Sequence, residues 1–270
     1  MKFPKVSIVT SSYNKADYLL QAIESVKKQS YQPIEHIVID GGSDDGTLAM
    51  LKGEKSSHLV WISEKDSGQY EAVNKGFRMS RGEIIGWLDA DDTYNRDSVT
   101  VVMHYMDTHP EIDFVYGDYN FIDDKGRLIK RHYSIDFDYP VLLYNKCYIS
   151  PQSVFFRKRV LEKIGFLNED LKLVGDYDFF LRMARQCRPA YIRYCVGNYR
   201  VTAESFTQNP GYRRLFKTER FSVRKKHAGL EKRNNLNAGF HLEIKRHFYR
   251  VKRYLKMLKN HYERVKLAKN

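Results

Sequence analysis

From Val6 to His109 short apolar runs rich in β-branched residues alternate with stretches of helical composition. The strand-like runs are Val6–Thr10, His36–Asp40, Leu59–Ser63 and Ile84–Leu88. Between them lie Tyr18–Lys28, Thr47–Lys55 and Tyr70–Met79, and a further helical stretch at Ser98–His109 leads to a short strand at Phe114–Tyr116. This order predicts βαβ units and a mostly parallel sheet with helices packed on it. Right-handed crossovers bring the C-terminal ends of such strands to one edge, and ligands of open α/β sheets sit beyond that edge. The pattern then becomes mixed. The Asp123-Asp124-Lys125-Gly126 turn predicts a hairpin between Tyr119–Ile122 and Arg127–Lys130. A strand near Ser153–Arg157, a helix near Tyr177–Gln186, and strands near Ala190–Tyr194 and Gly197–Thr202 follow.

The chain has 270 residues, 42% hydrophobic and 14% aromatic. That is enough to bury one sizeable core and too apolar for a disordered chain. No run approaches the roughly 18 to 20 apolar residues of a spanning helix. The N-terminus runs straight into a strand pattern, unlike a signal peptide. Three cysteines without motif spacing, Cys147, Cys187 and Cys195, suit a reducing compartment. The net charge of +13 is uneven: residues 224–270 hold 15 Lys or Arg against three acids, net +12, leaving net +1 for the rest. A nearly neutral body and a basic tail are therefore expected, and expected to be separable.

The polar residues gather where the strands end. The first strand runs into Ser11-Ser12-Tyr13-Asn14, the second into Asp40 and GGSDDGT (41–47), the third into Glu64-Lys65-Asp66-Ser67-Gly68, the fourth into Asp89-Ala90-Asp91-Asp92. Helix-capping loops are polar in any case, and Thr47 and Ser98 read as simple caps. Carboxylates at three successive strand ends are a different matter, because stacked negative charge needs a cation or a bound partner. In GEIIGWLDADD (82–92) an apolar strand delivers two carboxylates one residue apart, with a third adjacent. Such oxygens suit Mg²⁺ or Mn²⁺ with positions open to phosphate.

The segments SIVTSSYNKADYL (7–19), VIDGGSDDGT (38–47), EKDSGQYEAVNKGF (64–77) and GEIIGWLDADD, in this order and spacing, closely resemble the inverting glycosyltransferases of family 2; GDYDFFLRMA (175–184) is similar to the helix start that carries that family's catalytic base. The resemblance covers roughly residues 4–205 and is closest to bacterial enzymes that build polysaccharides or glycolipids. It implies an α/β GT-A fold: a Rossmann-like, mostly parallel central sheet flanked by helices, with the basic helical tail after it. Residues 1–210 would form the transferase domain, 1–118 its nucleotide-sugar half and 119–210 its acceptor half, with 211–270 the tail. The implied activity moves a sugar from a nucleoside-diphosphate donor, UDP- or dTDP-linked, to a hydroxyl of a saccharide or lipid-linked saccharide, by a single displacement with inversion. Thr10, Tyr13 and Asn14 would line the base and ribose pocket, and Asp40 would accept from a pyrimidine ring N–H. Asp66 would lie near the ribose or diphosphate. Asp89, Ala90 and Asp91 form the Asp-x-Asp element, with Asp89 toward the ribose and sugar and Asp91 on Mn²⁺ or Mg²⁺. Asp176 would be the general base, Asp178 a first-turn residue that complements the helix dipole, and Gln152 an acceptor-side residue. The family often places a metal- or diphosphate-assisting His in a late strand–loop segment; here that segment reads NYRVTAESFTQ (198–208), with Thr202 near the equivalent position. His36 and His104 read as ordinary strand and helix residues, and Asn74 as a packing residue.

In the tail, Ile244, Phe248, Val251, Leu255, Leu258, Tyr262 and Val265 recur at alternating steps of four and three, a narrow apolar stripe on a helix otherwise dominated by Lys and Arg. Three readings fit: a helix packed on the body, a coiled-coil homodimer, or an interfacial helix on an anionic membrane through residues 224–270. The last makes the protein cytoplasmic and peripheral on the inner face of the cell membrane. No aromatic-interleaved module for nucleic acid is present, so none is expected. Two rivals to a transferase remain: a non-catalytic nucleotide-sugar-binding protein, against which Asp40, Asp89, Asp91 and Asp176 argue, and a nucleotidyltransferase, which usually has a basic Gly-rich loop where this chain has Ser-Ser-Tyr-Asn.

Overall fold

A computed structural model describes residues 5–202 and 209–267 of the chain. The strand β1 (Val6–Ser12) is buried at all seven positions, as a strand covered on both faces must be. The helix α1 (Ala16–Lys27) leads to β2 (Ile34–Asp40), α2 (Thr47–Gly53) to β3 (Leu59–Ser63), and α3 (Gln69–Met79) to β4 (Ile84–Trp87). Then follow β5 (Thr93–Tyr94), α4 (Ser98–Thr108), β6 (Phe114–Ile122), β7 (Leu128–His132), α5 (Tyr139–Tyr144), β8 (Val154–Arg157), α6 (Arg159–Ile164), α7 (Gly175–Gln186), β9 (Pro189–Arg200), α8 (Arg213–His227) and α9 (Asn235–Leu267). The strands form one sheet in the order β3-β2-β1-β4-β8-β6-β9-β5, with β7 paired to β6.

The half built by β3, β2, β1 and β4 is parallel throughout. Beyond it β8 runs antiparallel to both β4 and β6, while β6 and β9 are parallel. Consecutive residues point to opposite faces. Ile84 and Phe155 join the core under α1 and α4 with Val26, Val102 and Met103, whereas Ile85 and Phe156 join the one under α3, α5 and α7 with Phe77, Leu142 and Phe180. A Cβ at Gly76 would lie 2.3 Å from Val9 Cγ1, so glycine there lets α3 approach β1 closely. The register aligns Ser12 with Asp40 and Asp40 with Ser63, which sets the first three strand ends side by side.

The expected separation of body and tail does not hold for α8. Glu219 accepts from the backbone N–H groups of Lys172 and Leu173 at 2.8 and 2.9 Å, and Arg224 donates to the Asn145 carbonyl at 2.8 Å. The longer α9 also lies against the body: Tyr249 stacks on Tyr144 with ring centres 5.4 Å apart, Lys252 pairs with Asp138 at 2.8 Å, and Arg264 pairs with Asp118. Among the described residues no helix is long and apolar enough to cross a membrane.

Candidate active site

The loops after β1 and β2 are knitted together. Asn14 adopts a left-handed backbone (φ 49°); its N–H donates to Ser43 Oγ at 2.8 Å, and its side-chain oxygen accepts from Asp44 N at 3.1 Å. Asp45 accepts from the first N–H of α1 at Ala16 and from Thr47, so one carboxylate ties two helix starts together. Tyr13 stands at the rim, 62% exposed. Asp66, partly buried, accepts from Gly68 N at 3.0 Å. Its carboxylate occupies the space a Cβ at Gly41 would fill, with Oδ2 2.8 Å from that position. Burial pushes the Asp66 carboxyl above its ordinary value, and the nearby charges of Glu71 and Asp40 add to this.

Four sequence-predicted residues, Asp40, Thr10, Ala90 and Gln152, are enclosed. Asp40 is fully buried and accepts from Gly42 N, Ser43 N, Ser43 Oγ and Ser63 Oγ. Oδ2 takes three of these bonds and Oδ1 only the one from Ser43 Oγ, so one of the carboxylate's roughly four lone-pair sites, on Oδ1, stays open. Thr10 is fully buried, with its hydroxyl 3.0 Å from His36 Nε2 rather than toward a ligand. Burial lowers the His36 pKa to about 3, so its ring is neutral. Ala90 packs its side chain among Leu19, Ile23, Val38 and Leu51. Gln152 is fully buried beneath Gly197, bonded through Oε1 to Ser150 at 2.7 Å, with its Nε2 buried and without a protein partner among the described residues. Thr202 is also buried, and residues 203–208 of the NYRVTAESFTQ segment lie outside the described residues.

Beyond β4, Asp89 Oδ1 accepts from Trp87 Nε1 at 2.9 Å and Gln69 Nε2 at 2.8 Å. Burial, then the charge of Asp91 and, less, that of Asp176, raises Asp89 to about 7. Asp91 Oδ2 lies 3.4 Å from Lys15 Nζ. Asp92 turns inward and accepts from the Arg200 N–H at 2.8 Å. Arg200 itself is buried and was not singled out from sequence. Its guanidinium donates to the carbonyls of Asp91, Asp123 and Asp124 and to Gln21 Oε1, at 2.8 to 3.0 Å. One side chain thus fixes the Asp-x-Asp turn against α1 and the β6–β7 hairpin; an Arg ending a strand pattern in NYRV was the only available signal. Among the described residues no three His, Cys, Asp or Glu side chains group to hold a metal. The Asp89 and Asp91 pair fits a cation that takes its other ligands from phosphate and water.

Across the opening, α7 begins with Gly175-Asp176. A Cβ at Gly175 would lie 2.5 Å from the Tyr70 ring, so glycine lets the α7 start press onto α3. Asp176 is partly exposed in the first turn. Burial raises it to about 6, against the opposing pull of backbone N–H groups and the Arg220 guanidinium. Asp178 is buried and accepts from Arg182 at 2.8 Å and His227 at 2.9 Å. Glu169 accepts from Asn74 at 2.7 Å, while Asn74 also bonds both backbone groups of Leu167. The structure therefore sets Asp66, Asp89 and Asp91 at the ends of the parallel strands with Asp176 at the start of α7, and brings Arg220 near Asp176 from α8, which lies in the expected 211–270 tail.

A family model described as glycosyl transferase family 2 matches residues 7–165. An uncharacterised glycosyltransferase of Mycobacterium tuberculosis is 31% identical over 209 residues, 77% of this chain and 79% of its own length. A PGL/p-HBAD biosynthesis glycosyltransferase of Mycobacterium bovis is 30% identical over 189 residues, 67% and 70% of the two chains. Among solved structures, S. aureus TarS residues 1–349 in complex with UDP-GlcNAc superposes with a TM-score of 0.67 at 16% identity, over 87% of this chain and 69% of that one. The mannosyltransferase PcManGT of Pyrobaculum calidifontis, in complex with GDP-Man and Mn²⁺, gives 0.57 at 17% identity, over 95% and 85%. The chain belongs to glycosyltransferase family 2 and is a glycosyltransferase with a GT-A fold.

Proposed function

We propose that the chain transfers a sugar from a uridine or thymidine diphosphate donor to a hydroxyl of a saccharide or lipid-linked saccharide, by single displacement with inversion. The observation that carries this is geometric: Asp89, one residue from Asp91, is held by Trp87 Nε1 and by Gln69 Nε2 at the start of α3, and the adjacent Tyr70 ring packs against Gly175, which precedes Asp176. Asp40, with a lone-pair site left on Oδ1, is the residue we assign to the pyrimidine N–H, with Asp66 and Tyr13 beside it for the base and ribose. Asp91, with Asp89, would hold Mn²⁺ or Mg²⁺ against the diphosphate; when bound, such a cation neutralises the charge that develops on the leaving group. Asp176, ionised at neutral pH, takes the proton of the acceptor hydroxyl as its oxygen bonds to the anomeric carbon and the bond to the diphosphate breaks. Asp178 and Glu169 are engaged with Arg182, His227 and Asn74, which supports Asp176 as the base.

A panel of nucleotide sugars, measured for binding and turnover with and without Mn²⁺, tests the reading. Metal-dependent binding confined to uridine or thymidine donors, and abolished in Asp91→Ala, is expected. Equal affinity for all nucleoside diphosphates would overturn the donor assignment, and binding without any turnover would favour a non-catalytic binding protein.

A further inference from the structure

The helix α9 turns a mixed face toward the body, Leu242 and Tyr249 among polar and small residues, and its apolar stripe away from it. Ala238, Leu242 and Asn260 are buried, and Lys256 and Arg264 reach the body as well. On the opposite side Phe240, Ile244, Phe248, Leu255, Leu258 and Tyr262 are 49 to 72% exposed. At 1.5 Å per residue the stripe is on the order of 30 to 40 Å long. Scattered exposed apolar side chains need no explanation, but a continuous stripe of this kind marks an interaction surface.

The charge around the stripe selects its occupant. Nine Lys or Arg and only two acids, Glu243 and Glu263, lie in residues 235–267. Exposed Lys259 and Lys266 border the stripe on one side and Arg250 on the other. Glu263 faces Arg193 on the body at 2.5 Å, and Glu243 is paired with Arg246. A second copy docked through the stripe would set basic flanks against basic flanks with no acids to answer them. A surface that is apolar below and negative above answers both features. We propose that α9 lies in the interface of an anionic phospholipid bilayer, with the Phe248–Leu255–Tyr262 face among the acyl chains and Lys259, Lys266 and Arg250 at the headgroups, while the opposite face keeps the catalytic body attached.

Co-sedimentation of the full chain with vesicles tests this. Binding is expected to equal parts of phosphatidylglycerol and phosphatidylcholine at low salt, to weaken as salt rises, and to be lost with phosphatidylcholine alone. Lys259→Gln with Lys266→Gln should lower binding roughly 30-fold. Phe248→Glu with Leu255→Glu should abolish it while leaving nucleotide binding unchanged, because both side chains are exposed on the side of α9 away from the body. A full chain that ignores anionic vesicles at low salt would overturn the proposal. So would a dimer by light scattering that Phe248→Glu with Leu255→Glu dissolves.

Discussion

Asp176 and Asp178 stand two residues apart in one helical turn and carry different tasks. For Asp178 burial alone would raise the carboxyl, but hydrogen bonds from His227 and Arg182 hold it below its ordinary value, an anion locked into packing. Asp176 has only backbone N–H groups and Arg220 against its burial and is raised to about 6. A base must be ionised to accept a proton, so kcat/KM should fall as pH drops through about 6, and a pH–rate profile checks this. Asp176→Asn should lower kcat by about 10² to 10⁴-fold while donor binding changes only a few-fold; turnover within a few-fold of wild type would place the base elsewhere. Asp40 makes the opposite case. Its carboxylate accepts from Gly42, Ser43 and Ser63, so Asp40→Ala strands buried donors at about 1–3 kcal/mol. Its first effect should be a lower melting temperature, and titrations of the folded protein should show a weakened preference for uridine and thymidine nucleotides.

At the scale of elements, the parallel half was legible because each strand is a short β-branched run and each helix between them is long enough to show its period. The strand Leu59–Ser63 has the bounds its sequence suggested. The shorter α5 and α6, six residues each, carry too little pattern to be seen. The two strands read at Phe114–Tyr116 and Tyr119–Ile122 are one, β6, with an irregular register against β9 between Tyr116 and Tyr119. Gly117 lies there, and a Cβ on it would come 2.4 Å from Val196. A glycine that reads as a break is in fact a close approach. Gly175 makes a similar contact at the site. Gly175→Ala forces the α7 start off the Tyr70 ring, so a loss of about 1–3 kcal/mol is expected in denaturant melts. A fall in kcat should accompany it, because Asp176 moves with the turn.

At the scale of the molecule, charge suggested a boundary that packing does not respect. A chain truncated after Arg220 loses Arg224 and His227, and with them the bonds to Asn145, Tyr177 and Asp178 that brace α7. Such a chain should melt well below the full protein and lose turnover. One truncated after Lys232 keeps α8 and should retain donor binding. Thermal scans and nucleotide titrations on both forms separate this from a detachable tail, for which the two would behave alike.

The sequence by itself determined the βαβ order and the edge at which the polar loops gather, Asp89 and Asp91 among them, because each is written in a local run of residues; Asp176 entered only through the family resemblance. Tertiary structure alone decided that Asp40 and Gln152 are enclosed, that Arg200 fastens the Asp-x-Asp turn, that α8 braces the α7 start, and which face of α9 is left outside. Those outcomes depend on which buried groups find partners far along the chain: Arg200 reaches Gln21 and Asp123, and Glu219 reaches Lys172. A side chain's hydrogen-bonding capacity is settled by the neighbours that folding delivers, and no local pattern records them.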